Sequence, residues 1–147
     1  MELDGTLTIH VPRAKVFAFF MDPHALSACV SDPHTIEVVD EDHFKGQIKS
    51  GIGFIRGTFT GVVSIEERTA PSRARIKAHG SGMGNAFDIE SEVSFSQSAL
   101  GVTTVRWKAK VQISGTIAGM GARVLTGTID KKTNEFFDNV RGKLEAV

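Results

Sequence analysis

A chain of 147 residues fits one ordinary domain, long enough to bury most of its apolar surface in a single core. Lysine plus arginine balance aspartate plus glutamate at 17 each, so no net field steers the molecule toward nucleic acid. The single cysteine, Cys29, excludes an internal disulfide and any multi-cysteine metal cluster, and it fits a reducing compartment.

The first residues, Met1 to Gly5, lack the basic and then apolar blocks of a signal peptide. No apolar run approaches the ~20 residues a membrane span needs. The expectation is one soluble, cytoplasmic domain over residues 1–147, with no transmembrane segment and any membrane contact peripheral.

Glu2 to Val11 alternates, with Leu3, Leu7, Ile9 and Val11 on one face and Asp4, Thr6, Thr8 and His10 on the other, the period of a half-buried strand. Pro12 stops the ladder and can occupy the first turn of a helix, where its missing N–H is not needed. Ala14 to Met21 is dense in apolar residues (Val16, Phe17, Phe19, Phe20), and Asp22-Pro23 breaks it, Asp22 being placed to cap a second short helix through Val30.

Strand signals then follow one another. Ile36 to Asp40 and Phe44 to Ser50 flank the acidic turn Asp40-Glu41-Asp42, and the glycines Gly51, Gly53 and Gly57 lead into Phe59 to Ile65, with a bulge expected near Gly53. Pro71-Ser72 makes a turn before Arg73 to His79, where Arg73, Arg75 and Lys77 alternate with apolar residues as a solvated strand face does. Gly80 to Asn85 reads as a flexible turn. The next strand sets Phe87, Ile89, Ser91, Val93 and Phe95 against Asp88, Glu90, Glu92 and Ser94. After Ala99-Leu100-Gly101 the last sets Thr103, Val105, Trp107, Ala109, Val111 and Ile113 against Arg106, Lys108 and Lys110.

One apolar and one polar face per strand is the pattern of an antiparallel sheet wet on one side. From about Thr116 the period becomes helical: Ile117, Met120, Val124, Leu125, Ile129, Phe136, Phe137, Val140 and Leu144 form a stripe. A helix of ~30 residues would be about 45 Å long and could cross the whole sheet. Gly115, Gly119, Gly121 and Gly127 fall in its first half, where they would thin it against the sheet and leave room beneath. The fold class is therefore α+β: a curved antiparallel sheet of about seven strands around a long C-terminal helix, with two short helices between the first and second strands.

Catalytic constellations are sparse. The five histidines, His10, His24, His34, His43 and His79, include no pair at metal-ligand spacing on one helix, and no metal or other cofactor is expected. Cys29 has no neighbouring base and reads as a small core residue. Gly80 to Gly84 resembles a phosphate cradle only superficially, since it opens no helix. On the expected registers the concave face carries Phe59, Val63, Ile76, Ala78, Phe87, Ile89, Ser91, Val93, Val105, Trp107 and Ala109, while Asp88, Glu90 and Glu92 point outward. That leaves the concavity almost without titratable groups, which favours binding over acid–base catalysis.

The element order and specific residues resemble the helix-grip superfamily of START domains and birch-pollen-type allergens (SRPBCC), and within it the CoxG family of carbon monoxide dehydrogenase proteins. The residues are Gly5, Pro12, Val16-Phe17, Asp22-Pro23, Leu26 and Cys29, then Gly51 to Gly61, the glycine-rich Gly80 to Gly84, Thr104-Val105, Gly115-Thr116-Ile117-Ala118, Gly121-Ala122-Arg123 and Phe136-Phe137. Val30-Ser31 stands where the family commonly has Pro-Gly, and the membrane-seeking tail of many members is not among the residues after the helix. The resemblance implies a cavity for a hydrophobic small molecule. It also implies association with a molybdenum-containing hydroxylase of the carbon monoxide dehydrogenase type, in its maturation, its membrane association or the carriage of a quinone to it.

The leading reading is a noncatalytic carrier of an apolar lipid- or quinone-like molecule, with Phe20, Phe59, Met83, Phe87, Trp107, Met120 and Val124 lining the cavity. Two others stand beside it: an enzyme of the polyketide cyclase or dehydratase type, which needs an acid or base in the cavity, and an interaction protein with a filled core.

Overall fold

The computed structural model describes residues 1–146. β1 (Glu2–Ile9) leads through Pro12 into α1 (Arg13–Phe20) and then α2 (Pro23–Ser27). Pro12 sits one residue before the helix, and its carbonyl accepts from the amides of Lys15 and Val16, both at 3.1 Å. Asp22 caps α2 as the sequence suggests, its Oδ1 accepting from the amides of His24 and Ala25 at 3.0 and 3.3 Å. The helix ends at Ser27, earlier than the expected Val30.

Six strands follow: β2 (His34–Val38), β3 (His43–Ile52), β4 (Ile55–Thr69), β5 (Arg73–Gly82), β6 (Asn85–Ala99) and β7 (Val102–Ser114). They pair antiparallel in a single sheet of order β1-β7-β6-β5-β4-β3-β2, so the first strand closes onto the last and β2 forms the opposite edge. The hairpin turns are shorter than the glycine pattern suggests. β3 and β4 meet at Gly53-Phe54, where Gly53 takes φ 61°, so the bulge expected there is a tight turn. The register instead slips between Ile65 and Glu67.

The stretch Gly80 to Asn85 is not a flexible loop. Gly80, Ser81 and Gly82 pair with Phe87, Ala86 and Asn85, leaving only Met83 (φ 56°) and Gly84 (φ 78°) as the turn. Positive φ at both central residues matches the right-handed twist of the strands it joins.

These registers bring Phe87, Ile89, Val93, Val105, Trp107 and Ala109 to the concave face in mutual register. The outward carboxylates pair across strands: Asp88 with His79 at 2.7 Å, Glu90 with Lys77 at 3.6 Å and Glu92 with Arg75 at 3.7 Å.

The core divides in two. The larger cluster packs α1 and the C-terminal half of the long helix on β1, β6 and β7, with Ile9, Val16, Val105 and Val140 fully buried. Its aromatic rings interlock, Phe95 lying 5.4 Å from Phe17 and 5.2 Å from Phe20, both edge-on. The smaller cluster gathers Phe59, Ile117 and Leu125, with Ile48, Ile52, Phe87 and Met120 against it.

The long helix differs from expectation at its start. Thr116–Met120 is a short 3-10 turn, Gly121 (φ 92°) breaks the chain direction, and α3 runs over Ala122–Glu145. At 24 residues α3 is about 36 Å long. Gly115, Gly119 and Gly121 therefore precede the helix. A Cβ at Gly119, Gly121 or Gly127 would meet nothing within 4 Å, so these glycines do not thin a helix–sheet contact.

The 3-10 turn is held by Asn85 from the neighbouring hairpin. Its Oδ1 accepts from the buried amide of Ile117 at 2.7 Å, and its Nδ2 donates to Met83 O at 3.0 Å. Gly115 lets this approach occur, since a Cβ there would lie 2.6 Å from Asn85 Oδ1.

Candidate functional site

Between the two clusters the concave face stays open. One lobe of about 450 Å3 is walled by Cys29 and Phe136 from the larger cluster and by Ile48, Ile52, Phe59 and Phe87 from the smaller, with Val63, Ala78 and Ile89 between. A second lobe of about 330 Å3 lies toward the β2 edge against Leu26, Ile36 and Phe44. The lobes share Val30, Ile48, Gly61, Val63 and Phe136.

The room comes from the sheet. Gly61 stands opposite Gly46 on one side and Gly80 on the other, so three adjacent strands present no side chain at the same level. A Cβ at Gly61 would meet His79 O at 3.4 Å and Gly80 Cα at 4.0 Å, and one at Gly80 would meet Thr60 O at 3.6 Å, all ordinary contacts. Nothing crowds these two positions; their missing side chains leave space above the sheet. Gly46 is different, because a Cβ there would collide with the carbonyl oxygen of Thr35.

One part of the wall is polar. Asp32, in the link from α2 to β2, accepts through Oδ2 from Lys132 Nζ of α3 at 2.9 Å and from Ser50 Oγ of β3 at 2.8 Å. The Lys132 hydrogen bond, helped by Ser50, holds the Asp32 carboxyl below its usual range against the opposing effect of partial burial. The expectation of a cavity almost without titratable groups is therefore corrected: the link and the helix supply a charged pair that strand alternation does not register.

Beside it, His34 Nδ1 lies 2.7 Å from the Asp32 carbonyl oxygen and Nε2 lies 2.7 Å from Ser27 Oγ. A carbonyl only accepts, so the Nδ1 proton goes to it; in the neutral imidazole Nε2 then accepts from the Ser27 hydroxyl. Asn139 of α3 fastens the same link, donating to Cys29 O at 2.9 Å and Ser31 Oγ at 3.1 Å. Burial pushes the Cys29 thiol up, with Lys143 opposing.

Of the seven residues expected around a cavity, Phe59 and Phe87 stand in its wall, 5.6 Å apart and edge to face. Phe20 and Trp107 belong to the larger cluster, Trp107 stacking on Phe137 at 5.3 Å. Met120 packs in the smaller cluster. Met83 lies at a hairpin tip, 57% exposed, and Val124 is 45% exposed on α3. The alternation gives no warning of this, since a turn at Met83 and a helix start after Gly121 decide both. The wall residues missed are Ile48, Phe136, the glycine row and the Asp32–Lys132 pair. Phe136 could have been found as the neighbour of Phe137 that a helix turns toward the other side.

A larger groove of about 690 Å3 crosses the outer face of the sheet, among Lys45, Lys77, His79, Asp88, Glu90 and Lys110. Lys77 pairs with Glu90 and His79 with Asp88 there in solvent, and the concave cavity, walled mostly by apolar side chains, is the better candidate for ligand binding.

No sequence among curated proteins matches the chain. Solved structures do. A conserved protein from Geobacillus kaustophilus aligns at TM-score 0.91 and 19% identity over 98% of this chain and 95% of its own. A START superfamily protein from Mycobacterium smegmatis aligns at TM-score 0.74 and 8% identity over 98% and 97%. The crystal structure of Ara h 8.0201 aligns at TM-score 0.69 and 11% identity, again over 98% and 97%. At such identities the likeness establishes the helix-grip fold. The model of the carbon monoxide dehydrogenase CoxG family matches residues 5–145, nearly the whole described chain, and with its motifs carried on this fold the chain belongs to the CoxG family.

Proposed function

We propose that this chain is a noncatalytic binding protein that holds a hydrophobic, lipid- or quinone-like molecule between its sheet and α3. In this reading it serves as a cytoplasmic accessory protein of a molybdenum-containing hydroxylase of the carbon monoxide dehydrogenase type. The observation that carries the reading is the apolar cavity above the glycine row, whose main lobe of about 450 Å3 lies within the ~300–1,000 Å3 usual for small-molecule sites. Phe59 and Phe87 are the ligand contacts of this reading that the sequence already suggests. The family name supplies the partner class. A lobe of this size tells against the third reading, an interaction protein with a filled core.

The polyketide cyclase-like alternative needs a proton donor or acceptor at the cavity. Asp32 is there, but its ion pair with Lys132 weakens it as a base and keeps it ionised, which tells against it as an acid. Among the described residues no helix is long and apolar enough to cross a membrane. A peripheral contact has a place in this reading: Phe54 (79% exposed) and Met83 stand at neighbouring hairpin tips, Met83 leaning over Gly57, and Arg56 and Arg123 are exposed.

Native mass spectrometry of freshly purified protein is expected to show the added mass of an apolar molecule, lost on denaturation. An apo mass alone, with no heat of binding from lipid or quinone analogues at micromolar concentration, would remove the proposal.

A further inference from the structure

We infer that the cavity selects ligands whose polar end is uncharged, a hydroxyl or carbonyl seated against the Asp32–Lys132 pair, over carboxylates and amines of the same length. This rests on the ligand-binding reading above and adds the chemistry of the head.

The pair offers both halves of a hydrogen-bonding site. Lys132 spends one ammonium proton on Asp32 Oδ2, and Ser50 donates to the same oxygen. Among the described residues, Asp32 Oδ1 and the remaining ammonium protons have no protein partner, and both side chains line the main lobe. A ketone can accept from Lys132, and a hydroxyl can accept from Lys132 while donating to Asp32.

In the second lobe, Ser27 and a neutral His34 have no side-chain proton to spare. The hydroxyl proton goes to Nε2 and the Nδ1 proton to the Asp32 carbonyl. Of Lys132, Ser27 and His34, Lys132 is then the one with protons left for a ligand's oxygen.

Charge decides the selectivity. The Asp32–Lys132 pair is neutral as a unit. A carboxylate drawn to Lys132 must approach Asp32, whose oxygen lies 2.9 Å from the ammonium, and an alkylammonium drawn to Asp32 meets Lys132 in the same way. Beside this pair, whose side chains are 38% and 32% exposed, either charged head also gives up part of its water, which a neutral head does at lower cost. Glu135, exposed on α3 at the edge of the lobe, adds a negative charge that solvent largely screens.

The test is isothermal titration of the full chain with 1-octanol, octanoate and octylammonium at neutral pH and physiological ionic strength. For the wild type, 1-octanol is expected to bind about tenfold or more tightly than either charged analogue, a difference of about 1.4 kcal/mol. Asp32→Asn leaves the ammonium without its counter-charge and should turn the preference to octanoate. Lys132→Met leaves the carboxylate and should turn it to octylammonium. Should one variant fail to melt cooperatively, the other still carries the test. Charged analogues binding the wild type as tightly as 1-octanol, or one order of preference in all folded proteins, would overturn the inference while leaving ligand binding intact. Failure of all three compounds to bind the wild type would instead remove the reading on which it rests.

Discussion

Gly61→Val places an isopropyl group in the floor of the cavity, where the backbone leaves room for it. A Cβ at Gly61 makes only ordinary contacts, the nearest being His79 O at 3.4 Å, and the position has no positive φ to forbid a side chain. Three carbons, each taken as roughly the ~30 Å3 of a water molecule, fill roughly 90 Å3, a fifth of the main lobe of about 450 Å3. Displacing three ligand methylenes at about 0.8 kcal/mol each removes about 2.4 kcal/mol of binding, roughly fiftyfold in affinity for 1-octanol. Gly61→Ala, with one carbon, should cost about 0.8 kcal/mol, roughly fourfold.

Stability should move the other way. A glycine inside a strand costs about 0.5–1 kcal/mol relative to alanine, and a β-branched residue suits the pleat better still. Urea unfolding of Gly61→Val is therefore expected to show a gain of about 0.5–1 kcal/mol while titration calorimetry shows weakened binding. A variant that binds 1-octanol like the wild type, or that loses more than about 1 kcal/mol of stability, would refute the placement of the cavity above Gly61.

Asn85→Ala should destabilise the protein by about 2–4 kcal/mol in urea, because it orphans the buried Ile117 amide and removes the bond to Met83 O; a loss below about 0.5 kcal/mol would contradict this. The stability difference between wild type and Lys132→Met should depend on pH. The folded-state value of Asp32 lies below the ordinary 3.8, so its contribution is complete above that value and disappears as pH falls through the lower folded one. A difference unchanged across that acid range would tell against the pair. Cys29, buried and with its thiol pushed up, should be alkylated by iodoacetamide roughly a hundredfold more slowly in the folded protein than in denaturant, as followed by mass spectrometry. Comparable rates would mean the α2–β2 link opens readily.

Much of the architecture is legible along the chain. Period-two alternation from Phe87 to Ile113 suffices to find β6 and β7 and to send Asp88, Glu90 and Glu92 outward, because a sheet with one wet face sorts residues strictly by parity. Asp22 announces the cap of α2 for a similarly local reason. Local rules fail where glycine permits more than one conformation. Gly80 to Gly84 can be loop or strand, and pairing with β6 decides for strand through Gly82. Gly115 to Gly121 can be helix or link, and the contact of Ile117 with Asn85, 32 positions away, decides for a 3-10 turn.

The candidate site was the least legible part. Alternation tells which residues share the concave face, so Phe59, Phe87 and Trp107 look equivalent in sequence. Only the course of α3 separates them, leaving Trp107 stacked on Phe137 in a filled core and Phe59 beside open space. The glycine row exists only once strand register brings Gly46, Gly61 and Gly80 level, and the Asp32–Lys132 pair joins residues 100 positions apart. Parity and helical period are properties of neighbours along the chain, so the sequence alone determined the elements and their faces. A cavity is a property of what fails to meet across the fold, so only the tertiary structure decided where it lies and which charges border it.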